Sequence, residues 1–219
     1  METEVKLAFK DRESLFSAAS SGWFVSHCKN PESRPQTLEN YYLDTADRAL
    51  GSRGVSLRKR HYISDDSDYY EFTAKYKGEV KGGLHNHFEW NLKSTDGVLV
   101  LDTFISNAEG DDRDLLKEVL NGISGESITL LCSNTFERTY YDFRFQNSSM
   151  EACIDYGDIK DSNGKPCDLI CEMELEIKEG TVEDLEDAKN QIIDCFGAVP
   201  FDETKLARTL KASLKGGSL

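Results

Sequence analysis

The stretch ETEVKLAF, residues 2–9, joins β-branched and apolar residues to charges that fall on every second position. In an extended strand, residues i, i+2 and i+4 share a face. Glu2, Glu4 and Lys6 therefore stack on one side, with Thr3, Val5 and Leu7 on the other. The same division recurs along the chain. In CEMELEIK, residues 171–178, Glu172, Glu174, Glu176 and Lys178 lie opposite Cys171, Met173, Leu175 and Ile177. Between these two stretches, Arg58 and Arg60 oppose Val55 and Leu57, and Thr73 and Lys75 oppose Phe72, Ala74 and Tyr76. His87, Glu89 and Asn91 oppose Phe88, Trp90 and Leu92, and Asp155 opposes Ala152, Ile154 and Tyr156.

Taken singly, each such strand is an ordinary half-buried strand with its polar face in water. Three successive glutamates fit that account poorly, because same-face neighbours repel unless positive charge lies between them. Recurrence from the first strand to the last favours a sheet whose apolar face meets outer helices and whose charged face curls inward as a closed barrel. Uncompensated charge in such a space is costly. It is balanced by mutual pairing, by water, or by a ligand bearing the missing charges. Clustered carboxylates suit a hard divalent cation, Mg²⁺ or Mn²⁺. Rows of Arg and Lys suit the oxygens of an extended phosphate chain. A metal-bound polyphosphate meets both demands; the plainer alternative is a β domain whose charges only pair with one another.

Composition narrows the field. With 40 acidic against 26 basic residues, a net charge of −14 argues against a diffuse basic surface and hence against a nucleic-acid duplex as partner. No apolar run is long enough to span a membrane, and the charged first strand gives no sign of a secretory leader. The six cysteines form no CxxC pair, which favours reduced thiols and a cytoplasmic setting. Along the chain, DRESLFSAASSGWF predicts one helix capped by Asp11 and ending near Gly22. Short aromatic and β-branched runs follow, separated by Gly, Asp and Ser, as in antiparallel strands. Helices are expected at DDRDLLKEVLNG, closing at Gly122, and at the C-terminal TVEDLEDAKNQIIDCFG and DETKLARTLKASL. The pattern predicts one domain over residues 1–219, an α+β fold that is mainly antiparallel β with peripheral helices.

With these motifs in view, the chain resembles the CYTH domain of the triphosphate tunnel metalloenzyme superfamily. ETEVK matches the ExExK signature at Glu2, Glu4 and Lys6, and YYLDTADRALGSRGVSLRKR leads to the paired Arg58 and Arg60. TAKYK supplies Lys75, IDYG fits a late aspartate–x–glycine turn, CEMELEIKEG fits the ExExE strand, and DETKLAR supplies Lys205 and Arg208. The resemblance implies an eight-stranded closed β-barrel, a tunnel that binds triphosphate inside. It implies that Glu2, Glu4, Glu172 and Glu174 hold a metal, with Glu176 a further candidate. Lys6, Arg58, Arg60, Lys75, Arg138, Lys205 and Arg208 would grip phosphates, and Glu89 and Asp155 would stand near a second metal or the attacking water. Two departures stand out. His87 and Asn91 flank Glu89 where relatives carry arginine and glutamate, and Phe136 stands where a basic residue is common.

Phosphoanhydride hydrolysis needs neutralised phosphoryl oxygens and an aligned water. GEVKGG lacks the P-loop lysine–serine/threonine pair. In HNH, residues 85–87, His85 is expected in or beside a turn and His87 on the tunnel wall. The leading expectation is a metal-dependent triphosphatase acting on inorganic triphosphate. The alternatives are a thiamine or nucleoside triphosphatase, a class IV-type adenylyl cyclase using ATP, or a non-catalytic polyphosphate binder; oligomeric state is not legible.

Overall fold

The computed structural model describes residues 2–215. Eight antiparallel strands form the wall of a closed barrel: β1 (Glu2–Ala8), β2 (Gln36–Thr45), β3 (Val55–Ser64), β4 (Ser67–Lys81), β5 (Leu84–Ser94), β6 (Ile128–Phe145), β7 (Ser148–Lys160) and β8 (Pro166–Glu179). Their order is β5-β4-β3-β2-β6-β7-β8-β1. The ring closes where β1 pairs back to β5, Glu2 opposite His87 and Glu4 opposite His85. A two-residue strand, β9 (Val199–Pro200), adds to the free edge of β1 at Leu7 and Ala8. The expected eight-stranded antiparallel barrel is thus the fold. Closure leaves no long edge for unwanted pairing.

The alternation seen in the sequence sets which face is dry. Val5, Leu7, Ala152, Ile154, Met173 and Leu175 point outward and are fully buried or nearly so. They pack under Leu15 and Ala18 of α1 (Arg12–Ala19), Phe24 of α2 (Gly22–His27), and Leu185, Ala188 and Ile192 of α6 (Val182–Phe196). A second outer core joins Val55, Leu57, Phe72, Ala74 and Trp90 to Leu50 of α3 (Ala49–Ser52), Phe104 of α4 (Leu101–Asn107), and Leu116 and Val119 of α5 (Gly110–Val119). Each fully buried aliphatic side chain contributes on the order of 1.5–3 kcal/mol. With the apolar faces spent on the helices, the polar faces are left to line the interior.

Three local expectations change. The first predicted helix is two. Asp11 caps α1 through a capping box with Ser14, but Ser20 and Ser21 donate to the carbonyls of Phe16 and Ala18, ending that helix. Ser21 then accepts from Phe24 N and caps α2, so Gly22 begins a helix instead of ending one. The IDYG stretch is no turn: it runs inside β7, where a Cβ on Gly157 would stand 2.8 Å from the Phe136 Cα. Glycine there permits a close strand approach. The C-terminal helix, α7 (Lys205–Lys215), starts after Asp202, with Thr204 accepting from Ala207 N. Among the described residues, no helix is long and apolar enough to cross a membrane.

Candidate functional site

Inside the barrel lies a cavity of about 900 Å³. Its wall includes Glu2, Glu4, Lys6, Arg58, Arg60, Lys75, Glu89, Arg138, Glu174, Glu176 and Lys205. Eleven of the residues singled out in the sequence therefore face one space, although they come from β1, β3, β4, β5, β6, β8 and α7. The other three, Asp155, Glu172 and Arg208, lie behind that lining.

These three belong to a buried charge cluster where α7 enters one end of the barrel. Lys205 Nζ stands 2.8 Å from Asp155, 2.6 Å from Glu172 and 2.8 Å from Glu174. Arg138 grips Asp155 with two nitrogens, at 2.6 and 2.5 Å, and reaches Glu174 at 2.5 Å. Arg208 pairs with Glu172 and, at 2.8 Å, with Asp168. Burial works against ionising Glu174, but Lys205, Lys6 and Arg138 outweigh it and hold the carboxyl well below its usual range. Burial likewise opposes the charge on Lys205, yet Asp155, Glu172 and Glu174 keep the ammonium well above its ordinary value. The cations that the glutamate row required are thus supplied by β6 and by the last helix. Asp155, Glu172 and Glu174 also bring carboxylate oxygens within 4.8 Å of one another, a spacing that a metal could use. Four internal cations, Lys6, Arg138, Lys205 and Arg208, already occupy them.

The β1–β5 side is different. Lys6 contacts Glu4 at 2.9 Å and Glu174 at 3.5 Å. Lys75 Nζ sits among Glu2 at 2.5 Å, Glu89 at 2.8 Å and Glu4 at 3.9 Å. Burial penalises the Glu4 carboxylate, but Lys6 and Lys75 overcome it and hold the pKa at about 2. For Glu2 burial wins, and its pKa is raised despite His87 and Lys75. Glu4 Oε1 has the Lys6 ammonium at 2.9 Å and Glu89 Oε2 has the Lys75 ammonium at 2.8 Å, so each buried oxygen is paired with a lysine. A set of carboxylate oxygens gathered this closely is the donor chemistry that suits a hard divalent cation. Residues of the right chemistry for Mg²⁺ or Mn²⁺ are therefore present, chiefly on β1 and β5, with Glu174 and Glu176 completing the lining from β8. Burial pushes the pKa of Glu176 up to about 7, with the Lys178 hydrogen bond only partly offsetting it.

On β3 the pattern reverses. Arg60 Nε donates to Asn40 Oδ1 at 2.7 Å, and Arg58 donates to Thr73 Oγ1 at 3.1 Å. Among the described residues neither guanidinium has a carboxylate within ion-pair distance, and Arg58 Nε is buried without a partner. The neutral partners belong to relays. Asn40 donates to Asn134, which donates to Thr209 of α7. Thr73 donates to Asn91, which donates to Glu89 at 2.6 Å. The departures noted in the sequence take on roles here. Asn91 links the β3 arginine to Glu89 without adding charge, and Phe136 places its ring among Arg60, Arg138 and Lys205, 5.3–5.9 Å from their charged centres.

The sequence reading passed over Asn40, Tyr62, Tyr69, Glu71 and Tyr140. Tyr62 and Tyr69 stack at 4.6 Å, and Tyr62 donates to Glu71 at 2.9 Å. All but Asn40 line the cavity. Their signal was present but faint: they share the inward phase of their strands with the charged residues. His85, expected in or beside a turn, opens β5 just after Gly82 and Gly83 and faces Phe201 O at 3.0 Å; His87 lies on the cavity wall.

A family model described as the CYTH domain matches residues 1–210. Over 150 residues, 68% of this chain, the sequence is 31% identical to an inorganic triphosphatase of Haemophilus influenzae. That alignment covers 38% of the relative, so the chain spans well under two thirds of its length. Among solved structures, a candidate adenylyl cyclase from Hippeastrum, described as having a dominant triphosphatase activity, superposes with a TM-score of 0.67 at 15% identity, covering 97% of each chain. A candidate adenylate cyclase from Bacillus halodurans superposes with a TM-score of 0.56 at 19% identity, covering 95% of this chain and 96% of the other. At these identities the likeness is one of fold.

Proposed function

The chain belongs to the CYTH domain family, and from that premise we propose that its tunnel hydrolyses a metal-bound triphosphate, cleaving inorganic triphosphate to pyrophosphate and phosphate. The observation that carries the reading is the β3 wall, where Arg58 and Arg60 are held by neutral groups and lack an anion. Buried guanidinium groups without counter-ions are costly, and phosphate oxygens are their best partners.

In this reading Glu2 and Glu4, with Glu174 and Glu176 on the neighbouring strand β8, hold Mg²⁺ or Mn²⁺, and Glu172 buttresses them through Lys205 and Arg208. The ion, when bound, would neutralise phosphoryl oxygens and acidify a water. Arg58, Arg60, Lys6 and Lys75 bind the phosphate chain and offset charge as the bridging bond breaks. Arg138 and Lys205, which share the Phe136 ring with Arg60, complete the grip. Asp155, behind the lining, aligns both of them. Glu89, its Oε1 steadied by Asn91, orients the attacking water and takes its proton. Residues 1–219 act as one unit, in the cytoplasm.

A second reading has its own support. A cavity of about 900 Å³ is at the upper end for organic ligands, and the Tyr62–Tyr69 stack lies on its wall. A nucleoside or thiamine triphosphate fits this better than the bare chain, and with ATP a cyclase would use the same cradle. One experiment separates them. The protein is incubated with triphosphate, ATP or thiamine triphosphate and Mg²⁺ or Mn²⁺, and the products are identified. Orthophosphate from triphosphate supports the proposal; cyclic nucleotide with pyrophosphate replaces it with the cyclase. Tight binding without turnover under either metal leaves only a polyphosphate-binding module.

A further inference from the structure

Across β3, β2 and β6, Arg60, Asn40 and Asn134 stand side by side in one cross-strand row, and Thr209 of α7 ends it. All of them are buried, Asn40 completely. The hydrogen bonds of the row run one way. Arg60 Nε donates to Asn40 Oδ1 at 2.7 Å. Asn40 Nδ2 donates to Asn134 Oδ1 at 3.1 Å and to Leu38 O at 3.2 Å. Asn134 Nδ2 donates to Thr209 Oγ1 at 2.8 Å, and Thr209 donates in turn to Lys205 O at 2.7 Å.

The sense of the Asn40 amide is dictated from both sides. A guanidinium has no acceptor, so the amide oxygen must face Arg60; a backbone carbonyl has no donor, so the amide nitrogen must face Leu38. The consequence falls on Arg60, which lines the cavity while Asn40 stands behind it. With Nε taken, only the terminal nitrogens remain for a ligand. Nη1 reaches the Tyr62 hydroxyl at 3.4 Å, and Nη2 makes no hydrogen bond among the described residues. The Tyr62 and Phe136 rings, 5.6 and 5.9 Å from the guanidinium carbon, flank it.

We propose that Asn40 is a positioning residue for substrate: it holds Arg60 by Nε, so that phosphate meets the two terminal nitrogens end-on. Because the amide is neutral, it leaves the guanidinium charge for that phosphate. The inference rests on the reading of the tunnel as a phosphate site. It adds which edge of Arg60 is used and which residue, outside the lining, selects it. An aspartate at position 40 would hold the guanidinium more strongly, through a charge-assisted bond, and would neutralise it before substrate arrived. Asn134 and Thr209 keep the amide from turning over, since a flipped Asn40 would set nitrogen against Arg60 and oxygen against Leu38 O.

The test is nuclear magnetic resonance of the full chain carrying ¹⁵N-arginine, titrated with inorganic triphosphate in the absence of divalent metal. Arg60 signals are assigned by their loss in Arg60→Lys. The Arg60 Nε–H resonance is expected in the free protein, sheltered from solvent exchange, and should stay close to its place at saturation while the Nη protons shift. Thr209→Val should displace that Nε–H resonance in the free protein, and Thr209→Ser should restore it. By calorimetric titration, Asn40→Asp should lower triphosphate affinity about tenfold or more, and by much less when Arg60 is already alanine. An Nε–H shift as large as that of the Nη protons would mean that phosphate takes the edge assigned to Asn40; it overturns the proposal and leaves the tunnel reading standing. An Asn40→Asp affinity within about twofold of wild type does the same, as do equal losses with and without Arg60. No binding of triphosphate to the wild-type protein brings down both. The wild-type spectra decide the matter even if Asn40→Asp fails to fold.

Discussion

Replacing Arg58 by alanine should separate binding from stability. Arg58 makes one side-chain hydrogen bond, to Thr73, while its Nε is buried without a partner. Its charge also works against the neighbouring Lys75 ammonium. The mutation therefore removes one modest contact together with an unsatisfied donor and a like-charge repulsion. These oppose one another, so unfolding free energy should change by no more than about 0.5 kcal/mol or rise. Binding is another matter. A hydrogen bond to a charged group contributes about 1.5–3 kcal/mol, and tenfold in affinity corresponds to about 1.4 kcal/mol. Triphosphate affinity should fall between about 10- and 150-fold. Calorimetric titration without divalent metal, to prevent turnover, reads the first quantity, and urea unfolding reads the second. An affinity within twofold of wild type would show that Arg58 touches no phosphate. A stability loss above about 2 kcal/mol would show that its role is structural instead.

Glu4→Gln should abolish metal-stimulated phosphate release while circular dichroism shows the barrel intact, with a lower melting temperature because Lys6 loses its paired carboxylate; retained turnover would remove Glu4 from the metal site. Lys205→Met strips the shared cation from Asp155, Glu172 and Glu174, and should cost about 3–5 kcal/mol in denaturant unfolding. A loss below about 1 kcal/mol would mean that Arg138 and Arg208 suffice. His61 lies on the outer face between Glu39 and Asp68, stacked on Tyr70, whose ring Lys59 also approaches. Burial opposes its charge, but the two carboxylates win and raise its pKa. Its contribution is therefore complete below the unfolded value and fades as pH rises through the folded one. His61→Asn should reduce the stability difference between pH 5.5 and pH 8.5, and equal pH profiles for the two proteins would contradict this.

The barrel was legible because its signal is periodic. The alternation in ETEVK and CEMELEIK survives any choice of neighbours and states which face is wet. What could not be read was depth. Glu172, Glu174 and Glu176 look equivalent in sequence, yet Lys205 and Arg208 from α7 lock Glu172 behind the lining while Glu176 faces the cavity. That distinction depends on where a helix some thirty residues later inserts. Asp155 is similar: its inward phase was evident, but its capture by Arg138 and Lys205 depends on the register between β6 and β7. The split of the first helix was hidden for a more local reason, since Ser20 and Ser21 are tolerated within a helix as well as at its ends. Asn40 carried no charge to draw notice, although it holds Arg60.

The chain of neutral groups from Thr209 through Asn134 and Asn40 to Arg60 ties the aim of a phosphate-facing arginine to the seating of the last helix. During synthesis, the walls of the barrel are complete by Glu179, some thirty residues before Thr209 is added. A nascent chain halted in that interval would hold all eight strands but an unsteadied Arg60 and no Lys205. Competence to grip a substrate therefore arrives late, as the final act of assembly.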